Sequence, residues 1–258
     1  MAEIIPIPAF ADNYIWLLRD GDVGAIVDPG DAAPVIAFLE RTGISPCAIL
    51  ATHHHGDHVG GIPALLARQN VPVFGPAREK IPGRTQALAG GDRFVVPGID
   101  AAFDVIDVPG HTAGHIALFG EFGGTPVLFC GDTLFTGGCG RLFEGTPEQM
   151  WTSLSALAAL PPETQVYCGH EYTLANLRFA LAVEPASAEL EARHRREQAK
   201  RDRGEPTVPS TIAMERATNP FLRAHLPEVR AAAAAHAGHA LADDVASFAA
   251  LREWKNTF

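Results

Sequence analysis

The sequence is short of cysteines, apolar runs and basic residues, shows no internal repeat, and each shortage removes a class of function. Its four cysteines, at 47, 130, 139 and 168, lack the paired spacing of a disulfide framework and read as buried thiols of a chain in a reducing cytoplasm. As nucleophiles they have no neighbouring base except for Cys168 beside His170, and that imidazole is better used as a metal ligand. No segment reaches the roughly 18 apolar residues of a membrane span, and the helix-forming run Ala231–Ala235 is far too short. The opening Met1-Ala2-Glu3-Ile4-Ile5-Pro6 has no basic region, and Pro6, Pro8 and Asp12 interrupt it, so no secretory signal is expected. The formal charge is −10 and unevenly divided: residues 1–172 carry 8 Lys+Arg against 19 Asp+Glu, residues 173–258 carry 12 against 11. An acidic first part argues against nucleic acid as a partner. The more basic remainder can offer cations to an anionic small molecule. With 258 residues and 47% hydrophobic content the chain has ample material for a core, and nothing in it requires a second copy, so a monomer is expected.

Histidine is what the chain has in one place. Thr52-His53-His54-His55-Gly56-Asp57-His58 packs four imidazoles and a carboxylate into seven residues. His53 and His55, two apart, can point to one metal ion on an extended turn. Asp57 and His58, adjacent, present ligands in a second direction, so one loop can serve two ions. His111 in Pro109-Gly110-His111-Thr112, Asp132 in Cys130-Gly131-Asp132-Thr133 and His170 in Cys168-Gly169-His170-Glu171 bring the donor set to five imidazoles and two carboxylates. Shared between two divalent ions, that set leaves room for solvent, which suits water activation; a non-catalytic metal-binding protein would close its site with protein ligands. Mixed nitrogen and oxygen donors suit zinc, iron or manganese, with zinc the expected ion. His54 must point away from at least one of its ligand neighbours. His115 reads as core or as support for the ligands, and His194, His225, His236 and His239 as solvent-facing.

Each proposed ligand lies where a strand is expected to end. Strands are expected at Ile4–Pro8, Asn13–Leu18 and Gly24–Val27, with a turn at Asp20-Gly21-Asp22. Asp28-Pro29-Gly30-Asp31 closes the third strand and caps a helix over 32–42 that stops at Gly43. Ala48–Ala51 is a short buried strand that delivers the histidine loop, and Gly60-Gly61 opens a helix through Gln69, with Val71–Phe74 the next strand. Phe103–Val108, Ile116–Phe119, Val127–Cys130 and Gln165–Tyr167 follow as strands, with a helix at Glu148–Leu160. Beyond residue 172 the texture is helical: Leu174–Val183, Ser187–Arg203, then shorter helices near 211–217, 227–237 and 243–252. The basic run Arg193, Arg195, Arg196, Lys200, Arg201, Arg203 is interleaved with acids and reads as a solvated face. Gly204–Thr211 reads as a proline-fixed linker.

The metal motif resembles that of the metallo-β-lactamase superfamily. Within it, Gly131-Asp132-Thr133-Leu134-Phe135, Gly138-Cys139-Gly140-Arg141, Phe143-Glu144-Gly145-Thr146, Tyr167–Thr173, Gly204–Thr211, Asn219-Pro220-Phe221 and Arg252-Glu253-Trp254-Lys255 resemble the glyoxalase II (hydroxyacylglutathione hydrolase) family over essentially the whole chain. The resemblance implies an α/β fold, a four-layered αβ/βα sandwich followed by a small helical C-terminal domain, with residues 1–172 holding a dinuclear metal site and 173–258 binding substrate. It implies that His53, His55 and His111 hold one ion, that Asp57, His58 and His170 hold the other, and that Asp132 bridges both. Glutathione contacts map onto Arg141, Phe143, Tyr172, Arg252 and Lys255; some members carry tyrosine where this chain has Phe143, so one hydroxyl contact is missing. The reaction implied is hydrolysis of S-(2-hydroxyacyl)glutathione thioesters, S-D-lactoylglutathione to D-lactate and glutathione, the second step of methylglyoxal detoxification. A metal-bridging hydroxide would attack, with Asp57 and Asp132 as the catalytic carboxylates. The same scaffold also carries persulfide dioxygenases, lactonases, β-lactamases and nucleases. The acid balance speaks against a nuclease, the start of the chain against a secreted β-lactamase, and the helical tail against a persulfide dioxygenase.

Overall fold

Three apolar runs at the start of the chain pair into an antiparallel meander of β1 (Ala2–Ala9), β2 (Asn13–Asp20) and β3 (Val23–Val27), seen in a computed structural model that describes residues 2–258. Strict alternation decides how β2 is buried: Ile15 and Leu17 belong to one core, Trp16 and Leu18 to another, and none is more than 2% exposed. A strand buried on both faces needs a layer on each side, and the chain supplies both.

On the outer side, α1 (Ala32–Thr42) starts where the Asp31 side chain accepts from the Ala33 N–H and ends at Gly43 in the left-handed conformation. It returns the chain to β4 (Ser45–Leu50), parallel to β3. A one-turn helix α2 (Gly56–Val59) and α3 (Ile62–Arg68) lead to β5 (Val73–Pro76), and β6 (Gln86–Leu88) completes a six-stranded sheet in chain order. Val35, Ile62 and Leu65 of the helices share a core with Ile15, Leu17, Ile26 and Ile49 of that sheet.

The second sheet runs β14-β13-β10-β9-β8-β7. Its members β7 (Arg93–Val95), β8 (Ala102–Asp107), β9 (Ile116–Phe122) and β10 (Thr125–Gly131) are antiparallel neighbours. A ribbon of β11 (Leu134–Phe135) and β12 (Gly138–Cys139) follows, then α4 (Pro147–Ala158), opened by a capping box of Thr146 and Gln149, and β13 (Gln165–Cys168) parallel to β10. Trp16, Leu18 and Leu50 of the first sheet join Phe103, Leu118 and Phe129 of the second in one core. Helix, sheet, sheet and helix therefore stack as the expected αβ/βα sandwich.

The tail comprises α5 (Thr173–Val183), α6 (Ala188–Asp202), β14 (Ser210–Thr211), α7 (Ile212–Thr218), α8 (Pro227–Ala237) and α9 (Asp244–Thr257). Several expectations need correction here. Gly204–Thr211 is fixed by more than its prolines and is no mere linker: Thr207, Val208 and Ser210 are buried, and Ser210 and Thr211 pair with Val166 and Gln165 at the sheet edge. The basic run of α6 is not all solvated, because Arg193 lies on the same face as Leu190 and Glu197, is 1% exposed, and donates to Glu215 (2.5 Å), Ser210 (3.0 Å) and Thr218. Helix α9 continues past 252 to Thr257, burying Leu251 and Arg252. The strand expected at Val71–Phe74 is shifted to Val73–Pro76, and β6, β7, β11, β12 and β14, too short to show a period, were not legible. Of the thiols Cys47 is half-buried rather than buried, and His194 is half-buried rather than solvent-facing. Among the described residues no helix is long and apolar enough to cross a membrane.

Candidate metal centre and substrate cavity

The strand ends of both sheets open on one side of the sandwich, and the seven candidate ligands meet there. β4 delivers His53 and His55, α2 carries Asp57 and His58, and the segments after β8, β10 and β13 carry His111, Asp132 and His170. Asp57 and His58 thus sit on a helical turn and not on an open loop. Close approach is bought with glycine. A Cβ on Gly131, which has φ +45°, would fall 2.3 Å from Thr52 Oγ1 and 2.8 Å from His115 Nε2, and one on Gly169 would fall 2.5 Å from His58 Cε1 and 2.7 Å from Asp132 Oδ1.

The donor atoms fall into two groups. His55 Nδ1 lies 3.2 Å from His53 Nε2 and 3.0 Å from His111 Nε2. His170 Nε2 lies 3.4 Å from Asp57 Oδ2, which is 3.7 Å from His58 Nε2. Asp132 stands between them: Oδ2 is 3.4 Å from His111 Nε2 and 3.3 Å from His170 Nε2, while Oδ1 is 3.3 Å from His58 Nε2. His58 Nε2 and Asp132 Oδ1 are buried, yet not aligned for a hydrogen bond and without any partner. Two buried ligand atoms without a hydrogen-bond partner, facing the same space, fit a shared cation.

Electrostatics makes the same demand. Burial lowers the pKa values of His53, His55 and His111, so this trio is held neutral, the form that ligates. Burial also opposes charge on His58 and His170, but Asp132, with Asp28 beside His58 and Asp57 beside His170, outweighs it. The His58 pKa is held well above the usual imidazole range, and that of His170 is raised to about 10. Hydrogen bonding to His170 holds Asp57 below the usual carboxylate range. Asp132 is held well below it by His58 and His170, which overcome the opposing effect of burial. The two carboxylates gather positive charge around themselves, and the donor set fits divalent ions.

Supporting contacts fix the imidazole orientations, and most come from residues the sequence did not flag. Asp28 Oδ2 accepts from Thr52 Oγ1 (2.7 Å) and contacts His58 Nδ1 (3.0 Å), while Oδ1 accepts from the Thr52 N–H (2.8 Å). Thr52 Oγ1 in turn lies 3.1 Å from His53 Nδ1. His111 Nδ1 donates to the Arg141 carbonyl (2.9 Å), Asp12 Oδ1 lies 2.8 Å from His170 Nδ1, and Asn13 Nδ2 donates to Asp57 Oδ2 (3.0 Å). His115 is support, as expected: fully buried, its Nδ1 bonds the Ile116 carbonyl and its Nε2 accepts from the Asp132 N–H (3.1 Å). Such partners set the tautomer and aim of a ligating imidazole. Asp28, in Asp28-Pro29-Gly30-Asp31, reads from the sequence only as helix punctuation.

A cavity of about 500 Å³ opens from this centre, within the range of small-molecule sites. His55, Asp57, His111, Asp132 and His170 form its floor, and all five expected substrate contacts, Arg141, Phe143, Tyr172, Arg252 and Lys255, line its wall. Phe143 is 63% exposed and packs edge-on to His55 and His111, and Tyr172 stacks on His170 at 4.7 Å. Arg252 is buried, donates to the Cys139 carbonyl (2.8 Å) and stacks on Phe221, so the end of α9 is pinned to the ribbon. The Lys255 pKa is lowered by its burial and then by Arg252, Arg178 and Arg141. This end of the cavity is a cluster of mutually repelling cations, which an anion would relieve. Phe135, Cys139 and Asn176 also line the cavity and were not anticipated as wall residues.

Comparison with known proteins bears on the family and the fold. The family model of the metallo-beta-lactamase superfamily matches residues 10–170, and that of the hydroxyacylglutathione hydrolase C-terminus matches residues 171–258. The hydroxyacylglutathione hydrolase of Alkalilimnicola ehrlichii is 61% identical over 258 residues, covering 99% of each chain. Among solved structures, TTHA1623 in a di-iron-bound form is 27% identical with a TM-score of 0.59, covering 84% of this chain and all of its own. ETHE1 from Myxococcus xanthus shares the fold at a TM-score of 0.64 and 24% identity, over 89% of this chain and 87% of that one.

Proposed function

This chain belongs to the hydroxyacylglutathione hydrolase family of the metallo-β-lactamase superfamily, and on that premise we propose that it hydrolyses S-(2-hydroxyacyl)glutathione thioesters, S-D-lactoylglutathione to D-lactate and glutathione. The observation that carries the reading is the placement of Asp132 between two imidazole sets, at the floor of a cavity whose wall is cationic. His53, His55 and His111 would hold one divalent ion, Asp57, His58 and His170 the other, with Asp132 shared; zinc suits these donors, as do iron and manganese. Bound there, such ions lower the pKa of water and polarise a carbonyl oxygen.

The chain's own groups do the rest. Asp57, kept ionised and oriented by the Asn13 amide, is half-exposed on the cavity floor and can accept a proton from an attacking water. Asp132 stays anionic, braced at its backbone by His115. Phe143 screens the His55 and His111 side from solvent. The Tyr172 hydroxyl keeps its proton, its pKa raised by burial and nearby carboxylates, and remains a hydrogen-bond donor on the wall. Arg141, Arg252 and Lys255, the last two in the 173–258 substrate-binding segment, suit the two carboxylates of glutathione. The leaving group requires no general acid, because a thiol of pKa about 8.5 departs as thiolate.

The test is turnover of S-D-lactoylglutathione by the purified chain alongside metal analysis. Two ions per chain with thioester cleavage is the expected result. One ion per chain with no thioesterase activity overturns the reading.

A further inference from the structure

The ligand loops are also joined by a group of residues that the metal centre does not use. His54, between the ligands His53 and His55, turns away from the cavity and lies between two carboxylates, with Nδ1 3.0 Å from Glu79 Oε2 and Nε2 3.3 Å from Glu144 Oε1. Glu79 belongs to the segment between β5 and β6, is 8% exposed, and has its backbone carbonyl held by Arg84 (2.7 Å). Its Oε1 accepts from the Thr112 hydroxyl and from the Gly114 N–H (3.0 Å), the residues flanking the turn just after His111. Contact there is tight: a Cβ on Gly114 would lie 2.6 Å from Glu79 Cγ. On the outer side Glu144 accepts from the Ala113 N–H (2.8 Å), in the same segment as Arg141, whose carbonyl receives His111 Nδ1, and Phe143, which packs on His55 and His111.

We propose that Glu79 is a positioning residue of the metal centre, a buried carboxylate that locks the His111 segment to the His53–His55 loop and so sets the mutual aim of the three imidazoles. One side chain reaches both segments that supply this trio, although it comes from neither and touches no ligand. Its removal frees two segments at once and leaves the Thr112 hydroxyl and Gly114 N–H buried without an acceptor. The inference rests on the dinuclear reading above.

The test is zinc titration of the metal-free chain against a chromophoric chelator, for wild type, Glu79→Ala, Glu79→Gln and Thr112→Val, with KM and kcat measured at saturating zinc. Wild type is expected to bind two zinc ions. Glu79→Ala should weaken one of them about tenfold, the low end for supporting residues of metal ligands, and lower kcat while leaving KM for the thioester unchanged, because the cationic wall is elsewhere. Glu79→Gln, which keeps an oxygen toward Thr112 and Gly114, should recover most of the affinity. Thr112→Val, a near-isosteric change that spares the fold, should show a smaller loss at the same ion. Should Glu79→Ala fold and hold both ions as tightly as wild type, the positioning role is wrong and the dinuclear reading stands. A third ion per wild-type chain, lost in Glu144→Gln, would also overturn the role, by making the cluster a ligand set in its own right. Wild type that binds no zinc removes both readings.

Discussion

Replacing Asp28 by asparagine should cost metal affinity without disturbing the fold, because the structure leaves the amide no good orientation. Asparagine is isosteric and tolerates the left-handed backbone at this position, where Asp28 has φ +52°. Oδ1 accepts from the Thr52 N–H, so the amide oxygen must stay there, and the NH2 then takes the place of Oδ2 against Thr52 Oγ1 and His58 Nδ1. A donor facing Nδ1 drives the imidazole proton to Nε2, the orphaned atom that faces Asp132 and would ligate. Flipping the amide instead sets NH2 against the buried Thr52 N–H. Either choice forfeits a buried hydrogen bond, about 1–3 kcal/mol, which matches the about 10- to 100-fold loss of metal affinity typical of such partners. Zinc competition titration should therefore show one of two ions weakened by that factor, with activity recovered by excess zinc and the metal-free protein still folding cooperatively. Two ions bound as in wild type would refute the claim that Asp28 sets the His58 tautomer.

Other expectations follow from the same geometry. Lys255→Ala should raise KM for the thioester about tenfold, the worth of one charge-assisted hydrogen bond, with kcat little changed; it is a cleaner probe than Arg252→Ala, which also strips a buried partner from the Cys139 carbonyl, and an unaltered KM would remove α9 from substrate binding. Zinc binding at Asp57, His58 and His170 should release protons at neutral pH and strengthen as pH rises toward the His170 pKa of about 10, since these imidazoles must lose protons that His53, His55 and His111 do not carry; titrations in buffers of different ionisation enthalpy check this, and equal release at both sites contradicts it. Arg193→Ala should destabilise the fold by about 3–5 kcal/mol, because it strands Glu215 at zero exposure; chemical unfolding reads this, and a cost below about 1 kcal/mol, the worth of an exposed pair, would mean that Glu215 is satisfied by Ser210, Asn219 and the Gly137 N–H alone.

The seven candidate ligands stood out in the sequence because their signal is local. Four of them share one six-residue stretch, and His111, Asp132 and His170 each follow a glycine at the end of an apolar strand, where a turn must be tight and a side chain can reach inward. Except for His115, what holds them was not legible. Asp28 and His58 are 30 residues apart, and Asp12 and His170 158, and an isolated aspartate before Pro-Gly carries the same sequence signature whether it caps a helix or braces an imidazole. The sandwich was legible where strands alternate, as in β2, and where helices have caps, as at Asp31 and Gly43. It was not legible where pairing is imposed from outside: β14 has two residues and exists because β13 offers an edge to Ser210 and Thr211. Arg193 shows the limit of charge patterning, since a helix face counted as solvated from its composition becomes interior once Glu215, Ser210 and Thr218 arrive from later in the chain.

The tail is therefore more than an attachment to the metal centre. Phe179 and Phe248 from its helices, with Phe221 from the turn between α7 and α8, share a core with the second sheet, β14 extends that sheet, and Arg252 closes on the ribbon that follows Asp132. Arg141 comes from the segment after that ribbon, Lys255 from the last turns of α9, and the two cations meet on the wall of one cavity although more than 100 positions separate them. The acidic part of the chain supplies the carboxylates that demand cations and one wall cation, Arg141, and the basic part supplies the other two, Arg252 and Lys255. On the function proposed above, an anionic thioester whose carboxylates meet the wall would place its carbonyl end over the floor, and the uneven charge division of the bare sequence would become an orientation in the folded site.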